Sequence, residues 1–150
     1  MGVCCFSGDR KNALMWAHYA DSHKGVCIGF STPVLHSTFA AHLFPVEYVK
    51  NFPKVDFMKD HDEAVTRIIM TKSEHWEYEK EYRLTSQRKG LHSFPARAID
   101  HIIFGLRTSD DEAGKAINFM KANGYTEPIF YKALMDSKSY QFNYVPCDTR

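Results

Sequence analysis

Residues 74–83 read EHWEYEKEYR, and the interpretation of this stretch decides the architecture. Three aromatics and four glutamates share ten residues, and the run ends on an arginine. In an extended chain, side chains alternate between faces. Trp76, Tyr78, Tyr82 and Leu84 would then point one way, and Glu77, Glu79, Glu81 and Arg83 the other. That alternation predicts a strand from about Tyr78 to Ser86, with an aromatic core face and a row of carboxylates closed by a guanidinium. Carboxylates two residues apart on one strand face lie ~7 Å apart. If half buried, they raise each other's pKa, and a neighbouring arginine holds one ionised. This is the chemistry of a general base, or of a clamp on a developing cation. A solvated face in which Glu81 and Arg83 neutralise each other is the competing reading.

Working outward, the flanking segments predict a single α+β domain over residues 1–150, with a mixed or antiparallel sheet and three to four helices. Upstream, GVCCFS (2–7) is strand-like, so the chain opens inside an element. KNALMWAHYAD (11–21) carries helical spacing behind Asn12 as its cap. KGVCIGF (24–30) predicts a buried strand. STPVLHSTFAAH (31–42) predicts a helix whose first turn takes Pro33. LFPVEYV (43–49) predicts one strand. From Asp56 to about Glu74 the pattern is helical, with Val65, Ile68, Ile69 and Lys72 on one face and acids near its start. Downstream, RKG (88–90) reads as a turn and LHSFP (91–95) as a short strand. AIDHIIFG (98–105) is a buried strand. TSDDEAGKAINFMKANGY (108–125) is a helix capped by Ser109 and stopped at Asn123-Gly124. EPIFYKALM (127–135) and SYQFNYVP (139–146) are closing strands.

The chain has 150 residues, a formal net charge of +1, 44% hydrophobic and 25% charged residues. That is the composition of a globular domain with no electrostatic pull toward nucleic acid. No apolar run reaches the ~20 residues that span a bilayer, and the first residues do not resemble a signal peptide. Cys4, Cys5, Cys27 and Cys147 have no C-x-x-C spacing, which suits reduced thiols in a cytoplasmic protein. Histidine gaps of five (His18, His23) and six (His36, His42) do not stack metal ligands on a helix face. No Walker, G-x-S-x-G or G-x-G-x-x-G run is present. The glycine and arginine before the 108–125 helix suit an anion, but its acidic first turn opposes one. In MWAHYADSHKGVCIGF (15–30), His18 and Tyr19 end a helix before a glycine-containing turn, where they either line a pocket or pack with satisfied polar tips.

Taken together, CFSGDRKNALMWAHYADSHKGVCIGF, KSEHWEYEKEYRL and IDHIIFGLRTSDDE resemble, in order and spacing, the bacterial family catalogued as domain of unknown function 2971. The resemblance implies that a further N-terminal segment, usual in the family, is missing here. The order of elements is also similar to ADP-ribosyltransferase-type domains. That similarity implies NAD as cofactor, with His18 and Tyr19 lining its pocket and Arg83 holding the carboxylates or meeting the pyrophosphate. It implies Glu81 acting on the ribose and Glu79 orienting a protein or small-molecule acceptor. The alternative is a non-catalytic, self-associating interaction module built on the tyrosine-rich end, FYKALMDSKSYQFNY.

Overall fold

The computed structural model describes residues 2–39, 43–87, 89–126 and 128–147. In chain order its elements are β1 (Gly2–Ser7), α1 (Ala13–Tyr19), β2 (Val26–Phe30), α2 (Thr32–Phe39), β3 (Leu43–Pro45), β4 (Glu47–Val49) and α3 (His61–Met70). They continue as β5 (Thr71–Ser73), β6 (Glu81–Ser86), β7 (Ile99–Phe104), α4 (Asp110–Ala122), β8 (Ile129–Met135) and β9 (Phe142–Pro146). Short 3-10 helices at Glu74–Glu79 and Ala96–Ala98 precede β6 and β7. The fold is α+β, with parallel and antiparallel pairings. Chain contacts divide it into two compact units, Met1–Asp9 with Ala41–Leu91, and Arg10–Ala40 with His92–Arg150.

In the first unit β6 is the central strand of an antiparallel three-stranded sheet, β1-β6-β3. Cys5 and Phe44 both pair with Arg83, while Cys4 and Leu43 pair with Leu84. Adjacent Cys4 and Cys5 therefore lie on opposite faces. The expected strand at 43–49 is divided. Proline has no N–H to continue the ladder, and β3 ends at Pro45. The buried Val46 then donates its N–H to the Glu81 carbonyl at 2.9 Å. After that break, β4 pairs in parallel with β5, and Tyr48 stands opposite Lys72.

Two expectations are corrected in this unit. The helix predicted from Asp56 to Glu74 is shorter. Asp60 accepts from the Glu63 N–H at 2.9 Å and starts α3 at His61, and Thr71 already has extended backbone. Lys72 therefore leaves the helix face and enters a strand, and Ala64, not Ile68, is the buried residue of α3. The decisive stretch is also not one strand from Tyr78. Glu74–Glu79 coils as a 3-10 helix, Lys80 closes it with φ +45°, and β6 begins at Glu81. A three-residue turn places Trp76 and Glu79 on one side, which alternation had put on opposite faces. The left-handed cap falls on a lysine, where glycine is the usual signal, so nothing in the sequence marked the boundary.

The second unit is built on the four-stranded sheet β2-β7-β8-β9. β7 and β8 are parallel, β2 and β9 antiparallel to their neighbours, and α4 makes the crossover. Along β7 the alternation sends Ile102 and Phe104 to a core with Ala113 and Ile117 of α4 and Phe130. Ile103 goes to the other face, with Trp16 and Ala20 at the α1 end and with Ala133 and Phe142. Asn12 caps α1 by accepting from the Leu14 N–H at 2.9 Å. Ser109 and Glu112 form a reciprocal capping box at α4, which ends at Asn123 before Gly124 at φ +83°. The strand at 24–30 is less buried than expected, because β2 is an edge with Val26 and Ile28 each 44% exposed. Residues 91–95 form no strand. Residues 40–42 of the expected second helix, Arg88 of the expected turn and Glu127 of the next strand lie outside the described residues.

Candidate functional site

The residues singled out in the sequence fall in two units. Glu79, Glu81 and Arg83 belong to the first, and His18 and Tyr19 to the second. Trp16 on α1 and Ala20 just after it turn into the core, whereas Tyr19 is 64% exposed and His18 is also exposed. Their rings meet edge-on at 6.3 Å.

Glu79 and Glu81 are brought together, though by a turn and not along one strand. They are 3% and 6% exposed, among the few charged side chains in the interior. Both are met by Lys72, a residue that sequence reasoning had left on a helix. Its Nζ donates to Glu81 Oε2 at 3.0 Å and makes a closer contact with Glu79 Oε2. The same ammonium lies 5.1 Å from the Trp76 ring centre, a cation–π contact. Arg83 clasps Glu81 from the other side, with Nε to Oε1 at 2.6 Å and Nη2 to Oε2 at 3.1 Å. Its remaining Nη1 donates to the Ile69 carbonyl at the end of α3. Backbone contacts fix the frame. The Glu81 N–H donates to Tyr48 Oη at 2.8 Å, and Ser7 Oγ donates to the Glu79 carbonyl at 2.7 Å.

The result is a quartet of two carboxylates and two cations with no net charge. Burial alone would raise the Glu81 pKa. Hydrogen bonds from Arg83, Cys5 and Lys72 outweigh it and hold the group at about 2. Glu81 in turn raises Arg83, with desolvation opposing. For Lys72, desolvation pulls downward, and the hydrogen bonds to Glu79 and Glu81 overcome it and leave it raised. The Cys5 thiol is pushed up to about 11, first by burial and then by its hydrogen bond to Glu81. At neutral pH the arrangement is Lys⁺, Arg⁺, two carboxylates and a neutral thiol. Arg83 acts on its own carboxylate and on a backbone carbonyl, and Glu81 uses both oxygens internally.

This geometry carries a pH prediction. An unfolded glutamate titrates near its ordinary 4.5, and folded Glu81 near 2. The stabilisation is therefore complete above about 4.5 and is lost as pH falls from there toward 2, because the unfolded chain takes the proton first. Its size is about 3 kcal/mol, from 1.36 kcal/mol per unit. Urea midpoints measured across this range should fall steeply for the native chain and much less for Glu81→Gln. Parallel curves would show that Glu81 is not the titrating group.

Among the described residues, no group of three histidine, cysteine, aspartate or glutamate side chains is placed to hold a metal. No helix among them is long and apolar enough to cross a membrane. Sequence reasoning missed Lys72, Tyr48 and Cys5 as neighbours of the glutamates. The signal available for Lys72 was its place as the one charged residue on an otherwise apolar helix face.

Residues 15–84 match the model of a family described as Protein of unknown function (DUF2971), which supports that family for this chain. The matched segment contains His18, Tyr19, Lys72 and the whole stretch from Glu79 to Arg83. No curated protein and no solved structure matches the chain.

Proposed function

We propose that the chain is a member of this family, that it works as a non-catalytic interaction module, and that the quartet around Glu81 is its internal staple. The observation that carries this reading is the closure of the site. Glu79 and Glu81 are almost wholly buried and are neutralised in place by Lys72 and Arg83. A carboxylate that steadies a developing cation has to be reached by the reacting sugar. Here the positions beside both glutamates are taken by side chains of the same unit. Large apolar groups of that unit stand in solvent instead, with Phe52 98%, Met58 96% and Leu91 105% exposed. Exposed aromatic and methionine side chains are the usual substance of contact surfaces. The occupant consistent with the sequence reading is a second copy of the chain.

ADP-ribosyl transfer with NAD is the second reading, favoured by the ionised state of Glu81, which is the form that stabilises an oxocarbenium-like centre. Calorimetry separates the two. The staple reading expects no heat of NAD binding at millimolar concentration by the wild type or by Glu81→Gln. NAD binding that disappears in Glu81→Gln would overturn it in favour of the transferase. Sedimentation across a wide concentration range tests the interaction half. A dimer weakened by Phe52→Ser with Met58→Ser supports self-association, and a monomer throughout counts against it.

A further inference from the structure

The second unit contains a histidine whose neutral tautomer is selected by its neighbours. Arg10, the first residue of this unit, directs Nη1 at Nε2 of His101 across 3.0 Å. A guanidinium has only donors and stays charged in proteins. Nε2 must therefore present its lone pair, and the ring proton sits on Nδ1. That nitrogen is 2.8 Å from Asp100 Oδ2, an acceptor placed to take it. Both contacts select the same neutral tautomer.

The surroundings are shaped for this ring. Gly29, which pairs with His101 across the β2–β7 ladder, lies directly beneath it. A Cβ at Gly29 would come within 2.1 Å of the ring's Cε1, so only glycine lets the imidazole lie there. The Tyr131 ring meets it edge-on at 6.2 Å, and the His101 side chain is 16% exposed. Arg10 is in turn a node. Its guanidinium lies over the Tyr144 ring at 5.3 Å, and its carbonyl accepts from Trp16 Nε1 at 2.7 Å and from the Tyr144 hydroxyl. Two residues on, Asn12 caps α1 and bridges to Gln141.

We infer that Arg10 and His101 form a proton-operated clasp, which holds the Arg10–Asn12 segment to the sheet when His101 is neutral and opens when His101 is protonated. Protonation removes the lone pair that accepts from Arg10 and sets two cations 3.0 Å apart. Asp100, 67% exposed on β7, favours the proton, and Arg10 opposes it. Cys27 on β2, another titratable side chain near Arg10, has its thiol pushed up by burial and stays neutral through the acid range. Tyr131 on β8 and Tyr144 on β9 contribute uncharged rings. Acid therefore turns an attractive contact repulsive at the point where the chain passes from the first unit to the second.

Two measurements on the full chain test this. Imidazole nitrogen shifts at neutral pH, assigned by comparison with His101→Gln, should show the proton on Nδ1. A proton on Nε2 would overturn the clasp. The exchange protection of the Trp16 indole N–H reports the Arg10 carbonyl directly. On acidification from neutral pH it should fall severalfold in the native chain, as protonation of His101 releases Arg10. In His101→Gln, whose side-chain oxygen still accepts from Arg10 but takes up no proton, it should stay nearly constant. Asp100→Asn, an exposed change, should move the transition to lower pH, because it removes the carboxylate that favours the imidazolium. Equal loss of protection in the native chain and His101→Gln, or no shift in Asp100→Asn, would overturn the proposal.

Discussion

Glu81→Ala lowers the stability of the unit that holds it by about 3–5 kcal/mol, the range for removing one partner from a buried ion pair. The cost comes less from lost attraction than from what is left behind. Arg83 loses the carboxylate that its Nε and Nη2 address, and Lys72 keeps Glu79 and the Trp76 ring. A net positive charge then sits in the interior. The arrangement makes a second, opposite expectation. Replacing both Glu81 and Arg83, as Glu81→Leu with Arg83→Met, leaves Lys72 and Glu79 as a neutral pair, and much of the loss is recovered. Buried ionic groups replaced together by apolar ones of similar volume are often neutral or stabilising. Urea unfolding of the two single variants and the double variant gives the coupling energy directly. A double variant as unstable as the sum of the singles would mean that the quartet is not a closed electrostatic unit.

Phe142→Ala should cost the second unit about 3–5 kcal/mol, the usual price of truncating a fully buried phenylalanine. Phe142 is 1% exposed. Its ring stands nearly perpendicular to Trp16 at 6.0 Å and to His23 at 5.6 Å. His23 is held with φ +70°, the last of three consecutive left-handed residues after Asp21 and Ser22. Its Nδ1 is sheltered from solvent without a hydrogen-bond partner among the described residues. The two tryptophans make the measurement local, since Trp76 lies in the first unit and Trp16 in the second. Fluorescence of Trp76→Phe follows the second unit alone. An unchanged midpoint on truncating Phe142 would contradict the core described here.

The parts of the fold that were legible in the sequence are those with local chemistry. Ser109 with Glu112, Asn12, and Asn123-Gly124 are side-chain or backbone devices that act within one turn, so their spacing declares them. The alternation within 81–86 was legible for the same reason, and it put Glu81 and Arg83 on one face. What was not legible depends on partners distant in the chain. Alternation in WEYEKEYR suits an extended strand, and only the turn at Lys80 and the Lys72 contact show that it stops short. The identity of Glu81's neighbours comes from β1, β4 and β5, elements that no periodicity within residues 74–83 specifies. His101 escaped notice because β7 reads as a core strand, and its significance arises from Arg10 and Gly29 across the fold.

The pairing of β1 with β6 also sets an order of events during synthesis. Ser7 pairs with Glu81, so β1 waits for its partner while the intervening chain is made. At about 5–20 residues per second that wait is roughly 4–15 s. Throughout it, Cys5 lacks both the desolvation of the finished sheet and the carboxylate that later faces it, and behaves as an ordinary thiol with a pKa near 9. Once β6 docks, the thiol rises to about 11, and its reactive thiolate fraction drops by about a hundredfold. Completion of one strand pair is therefore also a change of chemical state. The nascent chain carries an ordinary thiol, and in the finished sheet the same side chain stays exposed while its thiolate form becomes rarer.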